Sequence, residues 1–314
     1  MLRMRRRVLH YALLATAILT VTHLPAADFT ASGPATVRIG LDRSVSRKFL
    51  LRASAPGGTA SFLLDTGAPV SCAEVTKAAL FKFQPQSQSI MMNGQHDKMS
   101  LIPQIDFGGL VVKNFPAVLV DLSAMNQSHQ RNGDRTGDAI LGLDALSRLH
   151  AVIDCGAGRL FLHTGPAPGE VPSGWRAIPM QLVARHLLVP VTLNGFQTFF
   201  MVDTGSPASI IDSALCSSQR IPVGDPGVSM KAIHHDLQAA LGTIADLRIG
   251  SVGLGQTRVA VFDLNVLSGN IGGPPLPFTG LIGAQTLERL KAIIDCNSMR
   301  LYIKQPGRGG WFDF

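Results

Sequence analysis

The sequence predicts an all-β protein of two similar lobes, and three observations carry that prediction. The chain of 314 residues is 46% apolar and 16% charged, a globular balance with enough apolar material for one large core or two domain-sized ones. Its 32 glycines and 19 prolines punctuate many short Val/Ile/Leu/Phe runs, the pattern of strands joined by tight turns, and long amphipathic helical stretches are scarce. The chain also repeats itself. "FLLDTGAPVSC" at 62–72 returns as "FFMVDTGSPASII" at 199–211, and Asp65 and Asp203 lie 138 positions apart. "RLHAVIDCGAGRLFL" at 148–162 returns as "RLKAIIDCNSMRLYI" at 289–303, an offset of 141. The matches "IDFGGL"/"LRIGSV" and "VLVDLSAM"/"AVFDLNVL" fall between these anchors in the same order, which chance likeness between apolar strands does not produce.

Along the chain, residues 1–27 read as an export signal rather than as fold. Arg3, Arg5, Arg6 and Arg7 form a basic start, Tyr11 to Val21 an apolar core, and Pro25, Ala26 and Ala27 a small-residue exit. The apolar core is shorter than the ~20 residues of a bilayer span, so cleavage is expected over anchoring. "RRRVLH" loosely resembles a twin-arginine signal, leaving two export routes open. An exported chain is expected to be periplasmic or secreted. Loss of this segment takes Lys+Arg from 28 to 24 against 21 acids, a net charge of about +3. With no Lys/Arg run in the body of the chain, a nucleic-acid partner is excluded.

The first lobe is expected over 36–165 and the second over 177–305, with a linker at 166–176 marked by the Pro- and Gly-rich run "HTGPAPGEVPSG". Within a lobe, "SFLLD" and "FFMVD" are continuous apolar runs, as in strands buried on both faces. "LGLDALSRL" and "IGAQTLERL" are short helical candidates, and "HAVIDC" and "KAIIDC" are closing strands. Cys72, Cys155, Cys216 and Cys296 form neither a CxxC pair nor a zinc spacing, so structural cysteines, bridged or buried, are expected rather than metal or redox chemistry. Repeat symmetry favours Cys72 with Cys155 and Cys216 with Cys296 among the three possible connectivities.

A carboxylate at the end of a buried strand is costly unless it is hydrogen-bonded or used. One Asp-Thr-Gly is a good turn sequence. Two in equivalent positions of a repeat place two aspartates near a pseudo-twofold axis. Two carboxyls in contact share a proton and supply an acid and a base from one residue type.

On Asp65-Thr66-Gly67 and Asp203-Thr204-Gly205, with the later segments Ile140-Leu141-Gly142 and Leu281-Ile282-Gly283, the chain resembles the bilobal aspartic proteases of the retropepsin-like and pepsin-like clan, of the bacterial exported type. The likeness covers nearly all of 36–305. It implies two pseudo-twofold related β-barrel-like lobes of the aspartic protease fold with a cleft between them. It also implies an endopeptidase in which Asp65 and Asp203 activate one water, Thr66 and Thr204 grip each other across the lobes, and Gly67, Gly205 and Ser206 support the dyad. Neither a cofactor nor a metal is implied. The expected partner is a peptide or protein substrate in extended conformation, and with both motifs in one chain the expected state is a monomer.

Departures from the family pattern shape the remaining expectations. The only tyrosines are Tyr11 and Tyr302, so the flap tyrosine of the pepsin-like enzymes is missing. By position the first flap falls near 90–99, with Met92, Asn93 and Gly94 as flap or substrate-binding residues. A second flap at 230–238 is the counterpart, and its His234 and His235 are read as solvated or capping residues. Ala68 stands where Ser206 follows the second motif, and the missing hydroxyl leads to the expectation that Asp65 is the less acidic partner. Little chain precedes the first lobe, so activity without zymogen processing is expected. The alternative from another class is a catalytically silent periplasmic peptide-binding or inhibitory module on the same fold. A scaffold docking through Trp311, Phe312 and Phe314 is a third reading, with packing or disorder of that tail as its plainer counterpart.

Overall fold

The computed structural model describes residues 9–12, 29–44, 47–92, 95–131, 133, 135–166, 173–224, 228–231, 236–267 and 275–304. Its strands form two nine-stranded sheets and one of six strands. The first nine-stranded sheet runs, in order of pairing, Thr30–Ser32, Val111–Val120, Cys72–Glu74, Ala139–Leu141, Gly58–Leu64, Phe49–Ala55, Gln95–Asp106 and Gln84–Met92, with Asp42–Arg43 added on Phe49–Ala55. A further pairing of Val111–Val120 with Gln95–Asp106 joins two members of that path into a ring. Closure removes edges from the core of the lobe and gives it a barrel-like form.

The second nine-stranded sheet repeats the plan. Asp236–Ile249, Val252–Phe262, Ile210–Asp212, Gly280–Gly283, Phe196–Asp203 and His186–Leu193 follow one another, and His186–Leu193 pairs back on Asp236–Ile249. Gln181–Val183 extends one end, and Val228–Lys231 the other. Leu9–Ala12, within the expected export signal, lies parallel to Val228–Lys231 as the outermost strand. Removal of the signal would expose Val228–Lys231 as a sheet edge.

The six-stranded sheet joins the lobes. Val152–Asp154 and Ile293–Asp295, the closing strands read from "HAVIDC" and "KAIIDC", pair antiparallel at its centre with Ile153 opposite Ile294. These two residues are repeat mates at the offset of 141, so the pseudo-twofold axis passes between them. The two short helices expected after the glycine segments form as Leu143–Arg148 and Ala284–Arg289.

The apolar runs are buried as continuous stretches. Phe62, Leu63 and Leu64 of the first lobe and Phe200, Met201 and Val202 of the second are almost wholly inaccessible. Alternate residues serve different cores. Phe62, Leu64, Phe200 and Val202 join the main core, whereas Leu63 and Met201 join two smaller clusters, one in each lobe. Leu63 packs with Val70, Ile90, Met99, Met125 and Ile140, and Met201 with Leu188, Ile210, Phe278 and Leu281.

The cysteines are buried as expected, but the pairing favoured by repeat symmetry needs correction. All four thiols are free and buried. Cys72 opens a strand in the first-lobe sheet, and its Sγ lies 3.7 Å from the Val70 carbonyl. Cys155 instead follows Val152–Asp154 in the sheet between the lobes, so the two expected partners belong to different sheets. Cys216 sits in the helix Ser213–Ser218, while Cys296 follows Ile293–Asp295. Sequence symmetry within each half did not translate into proximity of the cysteines.

Candidate active site

Each Asp-Thr-Gly sits where a buried strand ends against a parallel neighbour. Gly58–Leu64 lies parallel to Ala139–Leu141 with Leu64 beside Leu141, and the Asp65 amide donates to the Leu141 carbonyl at 3.1 Å. In the second lobe Asp203 itself pairs with Gly283. The apolar-apolar-Gly segments therefore brace the aspartate loops from the side.

Their glycines are required by close approach. A Cβ on Gly142 would stand 2.4 Å from the Val70 carbonyl carbon, and one on Gly283 would stand 2.3 Å from the Ala208 oxygen. The Gly142 amide donates to Ser71 Oγ at 3.0 Å and the Gly283 amide to Ser209 Oγ at 3.1 Å. After each glycine the chain turns into a helix whose first amide reaches back to the dyad loop. Leu143 donates to the Ala68 carbonyl at 2.8 Å and Ala284 to the Ser206 carbonyl at 2.7 Å.

The threonines cross between lobes. Thr66 Oγ1 donates to the Val202 carbonyl at 2.8 Å and accepts from the Thr204 amide at 3.1 Å. Thr204 Oγ1 donates to the Leu64 carbonyl at 2.9 Å and accepts from the Thr66 amide at 3.0 Å. Four hydrogen bonds thus tie two strand ends, and neither hydroxyl has access to solvent.

This grip brings the aspartates together. Asp65 is 2% exposed and Asp203 is 1% exposed, and they share a hydrogen bond. Each DTG glycine lies against the other lobe's acid. A Cβ on Gly67 would fall 2.6 Å from the Asp203 carboxyl carbon, and one on Gly205 would fall 2.3 Å from that of Asp65. Asp65 Oδ1 accepts from the Gly67 and Ala68 amides at 2.8 and 3.0 Å, and Asp203 Oδ1 accepts from the Gly205 and Ser206 amides at the same distances. One oxygen of each carboxyl is held by the backbone, which leaves the other for chemistry.

Electrostatics distinguish two carboxyls that the backbone treats alike. Burial pushes Asp65 above the usual carboxylate range, opposed by the two amides, the hydrogen bond with Asp203 and the positive charge of Lys48. Burial pushes Asp203 well above that range, and the negative charge of Asp65 adds to the rise. Both carboxyls are thus less acidic than a free aspartate, as expected of two that share a proton.

The expectation drawn from Ala68 assumed a serine hydroxyl bonded to the carboxylate in the second lobe, and that bond is not formed. Ser206 Oγ donates to the Ala208 carbonyl at 2.8 Å instead of to a carboxylate, so its hydroxyl gives Asp203 no advantage that Asp65 lacks.

Of the expected flap residues, Met92 ends the strand Gln84–Met92, which forms a hairpin with Gln95–Asp106 in which Met92 pairs with Gln95. Asn93 and Gly94 fall between them, outside the described residues, as do His234, His235, Trp311, Phe312 and Phe314.

Lys48 and His186 are buried polar residues that the motif reading missed, and the Lys48 charge bears on Asp65. Lys48 stands 17 positions before Asp65 and His186 stands 17 before Asp203, so they are repeat mates. Applying the offset of 138 to polar residues as well as to the motifs would have found the pair. No group of three or more His, Cys, Asp or Glu suited to a metal ion occurs among the described residues.

Comparison with known proteins agrees with this geometry. A family profile described as "Aspartyl protease" matches residues 189–286, a stretch that includes the second dyad loop and its bracing segment. No curated protein matches the chain. Among solved structures, basic 7S globulin from soybean is similar at 12% identity and a TM-score of 0.50, over 87% of this chain and 95% of that one. A crystal structure of edgp is similar at 9% identity and a TM-score of 0.51, over 86% and 95% of the two chains. The chain has an aspartic protease-like fold, all-β and bilobal.

Proposed function

We propose that the protein is an aspartic endopeptidase that hydrolyses extended peptides with a water activated by Asp65 and Asp203. The observation that carries this reading is the pairing of two buried carboxyls across the lobes, each anchored through one oxygen and each held above the ordinary carboxylate range. A binder has no need of two carboxyls held in contact and out of solvent.

In the proposed cycle the Asp65 carboxylate takes a proton from water as the water oxygen bonds to the peptide carbonyl carbon. The Asp203 carboxylic acid gives its proton to the carbonyl oxygen, and a neutral tetrahedral diol results. Collapse returns a diol proton to Asp203, and the proton held on Asp65 passes to the departing amine. The dyad then stands as it began.

An extended substrate fits a protein whose sheet edge accepts extended chain, as Val228–Lys231 does with Leu9–Ala12. The wider reading includes export with loss of residues 1–27, lobes over 36–165 and 177–305, and a monomeric enzyme. Neither metal nor nucleic acid has a place in it.

The experiment is cleavage of a peptide library by the mature chain between pH 3 and 7. Asp65→Asn and Asp203→Asn are each expected to lose cleavage by about 100-fold or more. Absence of cleavage at every pH by a folded chain that still binds peptides would instead make it a silent peptide-binding or inhibitory module on the same fold.

A further inference from the structure

The repeat places two unlike side chains in equivalent positions beside the dyad. Leu50 pairs with Leu63 in the first lobe, with Lys48 two places before the one and Asp65 two places after the other. Leu188 pairs with Met201 in the second lobe, with His186 and Asp203 in the same relation. Residues two apart share a face of a strand, so Lys48 and His186 lie on the side of Leu63 and Met201, the side of the two smaller clusters.

Both are buried, at 1% and 0% exposure, yet they differ in charge. The Lys48 ammonium donates to His129 Nε2 at 3.0 Å. His129 lies on the helix Ser123–Arg131, and burial followed by the Lys48 charge drives it down to about 3, which keeps it a neutral acceptor. Its neighbour on that helix, Met125, belongs to the cluster around Leu63, so the helix covers Lys48 from the same side. His186 packs edge-on against the Phe278 ring at 5.4 Å, and neither of its ring nitrogens has a hydrogen-bond partner. Burial pushes His186 down to about 4, so it too is neutral.

We propose that Lys48 is a positioning residue for the dyad: its buried ammonium, in the place that an uncharged His186 takes in the second lobe, fixes the shared proton on Asp203 and makes Asp65 the base. The proposal rests on the enzymatic reading above. Lys48 acts on Asp65 and does not figure among the influences on Asp203, which matches the one-sided placement. The other acids near this lobe's dyad are Asp97 on the hairpin and Asp144 on the helix Leu143–Arg148. Both act with Asp65 on Cys72, and neither figures among the influences on Asp65 itself.

The test is carboxyl titration by NMR of protein labelled with 13C in its aspartate side chains, with Asp65→Asn and Asp203→Asn for assignment. In the unaltered protein Asp65 is expected to ionise at lower pH than Asp203, and the reverse order overturns the proposal without need of any Lys48 variant. Lys48→Met is expected to raise the Asp65 midpoint by about one pH unit, while Lys48→Arg keeps it low. The acid limb of the kcat profile should move up by the same amount in Lys48→Met with KM little changed, which a merely structural role would not produce. An unmoved Asp65 midpoint in folded Lys48→Met protein also overturns the proposal. If the midpoints follow Lys48 while no peptide is cleaved at any pH, the charge assignment stands and the enzymatic reading fails, so the two are separable.

Discussion

At the scale of single residues, the threonines show how a hydroxyl becomes indispensable through burial rather than through chemistry. Thr66→Val would leave the Thr204 amide and the Val202 carbonyl without this partner where both residues are buried. Each orphaned group costs roughly 1–3 kcal/mol, so urea unfolding should show a loss of about 3 kcal/mol. Thr66→Ser, which keeps the hydroxyl, should lose less than about 1 kcal/mol. The dyad makes a pH-dependent prediction of its own. Because Asp203 is raised above its unfolded value, the folded chain holds a proton that the unfolded chain has released once pH exceeds about 4. Stability from this group is complete below that pH and declines as pH rises toward the folded midpoint. Asp203→Asn retains the oxygen that accepts from Gly205 and Ser206 but cannot ionise. Its thermal midpoint relative to the unaltered protein should therefore be higher at pH 7 than at pH 4, and an advantage confined to pH 4 would contradict the assignment. Ala68→Ser should leave the pH–rate profile where it is, since the Ser206 hydroxyl in the equivalent place turns to a backbone carbonyl.

At the scale of elements, the bracing segments decide whether the dyad loops hold their shape. Gly142 and Gly283 sit where a parallel strand passes into a short helix, and a side chain at either would meet backbone that cannot move aside. Gly142→Ala and Gly283→Ala should each cost about 3 kcal/mol or more, with loss of soluble protein as the extreme outcome. Gly40→Ala, where an added Cβ meets nothing within 4 Å, should change stability by less than about 0.5 kcal/mol and serves as the control in the same unfolding series. The two helices after these glycines were legible in the sequence because small and apolar residues recur there at helical spacing. The hairpin of Gln84–Met92 and Gln95–Asp106 was legible from its place in the repeat and from Asn93-Gly94, a strong two-residue hairpin signal.

At the scale of the whole molecule, a sheet and a hydrogen-bonded grip join the lobes on the pseudo-twofold axis, and Arg43 and Arg47 of the first lobe pair with Glu288 of the second. The cysteines lie within the folded body with thiols made less acidic by burial, Cys296 to about 12. A thiol reagent should therefore find no fast-reacting cysteine in the native chain and four per chain in denaturant. A count of zero in denaturant would restore the two bridges that repeat symmetry suggested.

What the sequence determined by itself was whatever repeats or alternates. The offset of 138 paired the aspartates, the apolar runs ahead of them marked strands buried on both faces, and the later glycine segments marked their braces. These features are local, and burial of apolar residues imposes them on any chain of this pattern. Tertiary structure alone decided that the cysteines stay unpaired, where the Ser206 hydroxyl turns, and which charges surround each aspartate. Those outcomes depend on the low-dielectric surroundings of groups brought together from distant positions. Lys48 bears on Asp65 only because folding buries the two groups in one lobe, and its charge matters there because burial removes the water that would screen it.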